Sequence, residues 1–171
     1  MANKGMRYID GVEAQDIQGI TETLVKVNRS AAVVKGGRRF SFAALSVSGN
    51  KAGVVGYGFG KSRQVPGAIE KAARDGRKHL MRVPLTAAGT IPHPVEGFFS
   101  ASKVRLLPAS PGTGIIACPS VRAVCEQAGI KDILTKAYGS PNPVNLVKAT
   151  LAALAELRTP ERVAELRGVK L

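Results

Sequence analysis

The chain has no tryptophan, aromatic residues of all kinds make up only 5% of it, and it holds two cysteines and two histidines. With so few aromatics, the core has to be built from Val, Ile, Leu and Ala. Cys118 and Cys125 are separated by six residues, a spacing that matches no common zinc motif. Two such thiols suit a reducing compartment. His79 and His93 stand in no pattern with a carboxylate or a nucleophile, so no catalytic site, metal site or cofactor is expected, and the protein is not read as an enzyme. No apolar run approaches the roughly 18 residues a membrane span needs. The start, Met1-Ala2-Asn3-Lys4, leads into no apolar segment. A soluble, cytoplasmic protein with no membrane partner is expected.

The sharpest shortage is of acid, and it is local. Residues 24–82 contain 13 Lys/Arg against only Glu70 and Asp75, a net of +11 out of the chain's +13; the remainder carries 12 Lys/Arg against 10 Asp/Glu. Charge of one sign confined to one module is a footprint for a polyanion. The basic residues sit among glycines, in Val34-Lys35-Gly36-Gly37-Arg38-Arg39 and Gly56-Tyr57-Gly58-Phe59-Gly60-Lys61-Ser62-Arg63. Glycine there is read as letting the backbone come close to phosphates.

Alternating apolar residues predict strands at Leu24–Val34, Phe40–Val47 and Val54–Gly60, with turns at Lys35-Gly36-Gly37 and at Gly49-Asn50-Lys51-Ala52-Gly53. Phe40 and Phe42 share one parity and Leu45 and Val47 the other, which suggests a bulge at Ala43-Ala44. A short helix is expected over Glu13–Thr23. A second opens at Pro66, with Ile69, Ala72, Ala73, Gly76 and Leu80 as its buried stripe and Lys71, Arg74, Arg77 and Lys78 as a basic face short of acidic partners. After a linker from Val83 to Thr90, the pattern predicts a hairpin (His93–Phe99, Lys103–Leu107), a helix near Ser120–Ala128 closed by Gly129, a strand, or alternatively a helix, over Lys131–Tyr138, a helix capped by Asn142-Pro143 and a short helix from Thr159-Pro160. The reading is α+β with two small domains: an extension over 1–12, a basic domain over 13–83, a second domain over 84–157 and a tail over 158–171.

Two phosphate-loop readings fail on spacing. A Walker A motif needs its first glycine where Val55 stands, and a dinucleotide fingerprint needs one more residue than Gly56-x-Gly58-x-Gly60 supplies. With neither an RNP-type aromatic pair nor a zinc finger, contacts to backbone and shape are favoured, which suits structured RNA. The candidate RNA-binding residues are Lys35, Gly36, Gly37, Arg38, Arg39, Lys51, Gly56, Tyr57, Gly58, Phe59, Lys61, Arg63, Lys71, Arg74 and Lys78, to which the resemblance below adds Arg29 and Ser30. The bland alternative for the helix cations is a solvated surface.

Several motifs resemble, in order, the bacterial-type fifth protein of the small ribosomal subunit: Val27-Asn28-Arg29, Val34-Lys35-Gly36-Gly37-Arg38, Val55-Gly56-Tyr57-Gly58-Phe59-Gly60-Lys61, Pro108-Ala109-Ser110 with Gly112-Thr113-Gly114, and Lys136-Ala137-Tyr138-Gly139-Ser140 with Asn142-Pro143. The resemblance implies an αβββα first domain like a double-stranded-RNA-binding fold and a second β-α-β domain with a left-handed crossover. It implies a structural role in small-subunit rRNA, contact with the fourth and eighth small-subunit proteins, and a place by the channel through which mRNA enters. In the family, the turn matching Lys35–Arg38, with Arg29 and Ser30, reaches toward the head–neck hinge and the spectinomycin site. Positions matching Gly114 and Arg122 lie at the contact with the fourth protein, where decoding accuracy is set. Two departures stand out: Pro66-Gly67-Ala68-Ile69 occupies the place of the duplex-gripping lysines, and Cys118-Pro119 the place of small residues. The alternative is a free-standing RNA chaperone or RNA-binding regulator.

Overall fold

The computed structural model describes residues 19–168. Strands β1 (Thr21–Val34), β2 (Gly37–Gly49), β3 (Val54–Ser62) and β4 (Leu80–Arg82) form an antiparallel sheet in that order. Helix α1 (Val65–Gly76) packs on one face of it, with Pro66 in the first turn where a missing N–H is harmless. The second sheet holds β5 (Val95–Phe99), β6 (Ser102–Pro108), β7 (Ile115–Ile116) and β8 (Ile133–Gly139) in the order β5-β6-β8-β7. Its one parallel pair, β7 with β8, is joined through α2 (Pro119–Ala128), which makes a β-α-β unit. Helix α3 (Pro143–Ala155) is capped by the Asn142 side chain, which accepts from the Val144 N–H, and α4 (Pro160–Arg167) is capped in the same way by Thr159.

Three sequence expectations change. Of the helix expected over Glu13–Thr23, positions 13–18 lie outside the described residues, and Thr21–Thr23 already belong to β1, paired with β2 from Thr21↔Gly49 onward. Helix α1 ends at Gly76, so Lys78 lies in the following turn and Leu80 pairs with Gly56 as strand β4. There is no bulge at Ala43-Ala44. Strand β2 pairs with β3 without a break from Phe42 to Gly49, and the one irregularity of the hairpin is in β1, between Leu24 and Lys26.

The parity switch in β2 has another cause. Ala44 and Phe42 face α1, packing with Ala68 and Ala72, whereas Leu45 and Val47 face the opposite way, into a larger core shared with α2 and α3. The first sheet is thus covered on both faces, by its own helix and by the second domain. Burying Leu45, Val47 and Val55 there contributes roughly 1.5–3 kcal/mol each.

A polar joint reinforces that core. The turn between β2 and β3 docks on the end of α2 through Lys51 N–H to the Gln127 carbonyl (3.0 Å) and Gly53 N–H to the Ala128 carbonyl (2.9 Å). The buried Gln127 amide donates to Thr21 Oγ1 (2.7 Å) and the Gly49 carbonyl (3.3 Å) and accepts from Thr23 Oγ1 (2.6 Å). Gly129 closes α2 at φ 86°, and a side chain at that position would overlap the Lys51 carbonyl.

Candidate nucleic-acid interface

Beyond the body of the first sheet, β1 and β2 continue as a two-stranded arm. Residues 28–41 are exposed without interruption, because neither α1 nor the second domain reaches that far. Register places Arg29 opposite Phe42, Ser30 opposite Ser41 and Val33 opposite Arg38, with Lys35-Gly36 at the tip. The Arg29 guanidinium lies over the Phe40 ring at 3.6 Å from its centroid, and Ser30 Oγ donates to the Ser41 carbonyl at 3.2 Å. Stacking holds the Arg29 charge in place without neutralising it. Among the described residues Arg29, Lys35, Arg38 and Arg39 have no carboxylate partner. Gly36 has open space where a Cβ would stand and an ordinary backbone, so the fold itself does not require glycine there.

A second basic feature lies at the junction of β3 and α1. Ser41, Lys61, Ser62, Arg63, Gln64 and Lys71 line an open groove of about 700 Å³. Lys71 Nζ donates to the Lys61 carbonyl at 3.3 Å, which positions it at the groove wall. Ser41, Ser62 and Gln64 were missed by sequence reasoning. The antiparallel pairing Phe42↔Ser62 is what brings them together, and only the register of β2 on β3 could have signalled it.

The structure gives the other sequence candidates different surroundings. Gly56, Gly58 and Gly60 are buried under α1 and present no backbone to a ligand. A Cβ on Gly56 would stand 2.5 Å from the His79 carbonyl oxygen, and one on Gly58 or Gly60 would overlap α1 backbone at Ala72 or Ala68. Their lack of side chains serves helix–sheet contact. Tyr57 is half-buried toward the second domain, with Lys148 Nζ 5.6 Å from its ring; burial, then Asp75, pushes its hydroxyl pKa up. Phe59 stays exposed, with Lys61 over its ring at 5.6 Å. The basic face of α1 is not short of acid: Arg74 pairs with Glu70 and Arg77 with Glu22, each at 3.1 Å. Lys51 keeps its side chain exposed, but its backbone belongs to the domain joint, in the left-handed region at φ 56°.

In the second domain Gly114 and Arg122 come together. The Gly114 N–H donates to Asp132 Oδ1 at 2.8 Å, and Arg122 Nη2 donates to the Ile115 carbonyl at 2.9 Å. Gly114 adopts φ 75°, which favours glycine, and Arg122 remains exposed. Cys118 is the extended N-cap of α2, its carbonyl accepting from the Arg122 N–H at 2.8 Å. The Cys125 thiol is fully buried, and burial pushes its pKa up to about 12, so it is inert as a nucleophile. No group of His, Cys, Asp and Glu able to hold a metal occurs among the described residues, and no described helix is long and apolar enough to cross a membrane.

The division of the body into two parts is matched by what the chain is similar to. The family model for the N-terminal domain of ribosomal protein S5 matches residues 20–84, and that for its C-terminal domain matches residues 97–167. The chain belongs to the ribosomal protein S5 family. Small ribosomal subunit protein uS5 of Rhodopirellula baltica is 55% identical over 159 residues, covering 93% of this chain and 87% of the relative. That of Shewanella frigidimarina is 50% identical over 160 residues, covering 94% and 95%. As a member of this family the chain is a structural constituent of the small subunit of the cytoplasmic ribosome, within a non-enzymatic family.

Proposed function

We propose that the chain binds small-subunit rRNA through the β1–β2 arm and the groove beside it. The carrying observation is the arm itself: four cations, at Arg29, Lys35, Arg38 and Arg39, on a hairpin whose residues 28–41 are exposed throughout. A hairpin with no core of its own on either face is a poor investment for folding and a good one for reaching into a partner. Gly36 at its tip, where the fold leaves the residue free, lets the chain approach a phosphate or a ribose closely. Lys61, Arg63 and Lys71 in the groove neutralise further phosphates, with the Ser41 and Ser62 hydroxyls as donors.

In this reading the first domain grips rRNA and the second meets protein. The loop ending at Gly114, with Arg122 beside it, faces the fourth small-subunit protein, and the eighth is a further neighbour. This position places the chain by the channel through which mRNA enters and gives it a part in assembly and decoding accuracy. The test is a salt titration of the full chain on small-subunit rRNA. Seven phosphate contacts, from the four arm cations and three groove cations, predict that log K falls by roughly 5–6 per tenfold rise in salt. Replacing Lys35, Arg38 and Arg39 by Ala should flatten that slope by about 2–3 and weaken co-sedimentation with small subunits. An unchanged slope would remove the arm from the interface.

A further inference from the structure

We propose that the outward face of the second sheet is a stacking platform for an unpaired RNA segment. This deepens the RNA reading above and rests on it for the class of ligand, but it uses other residues on another domain.

One face of that sheet is closed. Val95, Val104, Leu106 and Ile133 point into the core under α2 and α3, and Gly97 lies so close to α3 that a side chain there would overlap the Ala149 carbonyl. Nothing among the described residues covers the other face, and it is not an ordinary polar one. Phe98 is 61% exposed and Tyr138 48%. Register sets Phe98 opposite Lys103 and Lys103 opposite Tyr138, so the two rings flank one lysine across β5, β6 and β8. Lys103 Nζ lies 5.1 Å from the Phe98 ring centroid. The adjoining row is Glu96, Arg105 and Lys136.

Charge and geometry select the occupant. The face carries three cations and one carboxylate: Glu96 meets Lys103 at 2.7 Å and Arg105 at 3.6 Å, and Lys136 has no ion-pair partner among the described residues. The centre of a protein–protein patch is depleted of charge and of lysine in particular, yet here a lysine stands between the two exposed rings. Rings paired with cations on an open sheet are how proteins hold single strands, bases on the aromatic faces and phosphates on the charges. Phe98 and Tyr138 are two strand spacings apart, about 10 Å, which admits two bases splayed away from each other. A duplex keeps its base faces inside the stack and offers none to such rings.

The chain has no tryptophan, so Phe98→Trp introduces a single reporter on this face. The full-length protein is titrated with two probes, an oligouridine of about twelve nucleotides and a blunt RNA duplex. Quenching of the tryptophan by oligouridine but not by duplex is expected. Phe98→Ala with Tyr138→Ala, both exposed positions, should weaken oligouridine binding about tenfold or more and leave duplex affinity within about twofold. The Phe98→Leu, Tyr138→Leu pair, which keeps apolar bulk without the rings, should lose as much; retention of affinity by the leucine pair would overturn stacking. Unchanged oligouridine affinity in the alanine pair overturns the proposal while duplex binding through the arm leaves the reading above standing. Loss of co-sedimentation with small subunits at unchanged RNA affinity would reassign the face to a protein and overturn it too. Failure of the wild-type chain to bind oligouridine while it still binds small-subunit rRNA would overturn the platform alone, and failure to bind either of those RNAs would remove both readings together.

Discussion

Replacing Gly58 by alanine separates two meanings of the glycine-rich strand β3. If these glycines serve close approach to RNA, the substitution should weaken RNA binding in a stable protein. The geometry says otherwise. The added methyl would overlap the Ala72 carbonyl oxygen and stand 2.9 Å from Gly76 Cα, both backbone of α1, whereas ordinary carbon contacts lie at about 3.5–4.0 Å. The helix must therefore retreat. Overpacking of this kind costs about 1–3 kcal/mol, and loosening the fully buried Ala68 and Ala72 methyls adds roughly 0.8 kcal/mol each. A total near 3 kcal/mol lowers the melting temperature by roughly 6–12 °C in a chain of this size. Urea and thermal unfolding followed by far-ultraviolet circular dichroism measure it, and the folded fraction should keep its RNA affinity. Gly36→Ala is the matched control. With open space around it, its stability should stay within about 0.5 kcal/mol of the parent, while RNA affinity falls. A Gly58→Ala protein as stable as the parent but weaker on RNA would refute the reasoning.

Four further outcomes follow from buried and half-buried groups. Ser46 and Ser48 have buried hydroxyls without a hydrogen-bond partner among the described residues, so Ser48→Ala should leave the fold as stable or raise its stability by up to about 1 kcal/mol; a clear loss in urea unfolding would reveal a bond to that hydroxyl. Gln127→Ala removes the partner of the Thr23 hydroxyl and leaves the Thr21 hydroxyl only the Gly49 carbonyl, and should cost about 1–2 kcal/mol, with faster amide exchange at the start of β1. The raised Cys125 pKa gives a pH dependence of known sign. The unfolded thiol ionises from its ordinary 9.0 while the folded one holds its proton to about 12, so the unfolded state binds fewer protons and stability falls as pH rises through that window. Cys125→Ala should remove that part of the slope. At pH 8 a thiol reagent should label the half-buried Cys118 and spare Cys125 until unfolding.

Much of the element order was legible because its signals are local. Turn glycines at 36–37, Pro66 and Pro143 at helix starts, and Gly129 in a left-handed C-cap act on the few residues around them. Strand β4 was not legible. Leu80-Met81-Arg82 is too short for a periodic signal, and it becomes a strand only by pairing with Val54–Gly56. The switch of parity in β2 also misled, because a strand buried on one face and one buried on opposite faces at its two ends differ only in what covers them.

The concentration of +11 in residues 24–82 was determined by sequence alone, since charge adds up without regard to the fold. How that charge is used was decided by tertiary structure. Carboxylates from α1 and β1 reach Arg74 and Arg77, while the arm cations lie beyond the reach of any carboxylate among the described residues. The glycines divide in the same way. Gly36 faces open space and Gly58 faces a helix backbone, two environments that a residue with no side chain cannot distinguish in sequence and that packing distinguishes at once.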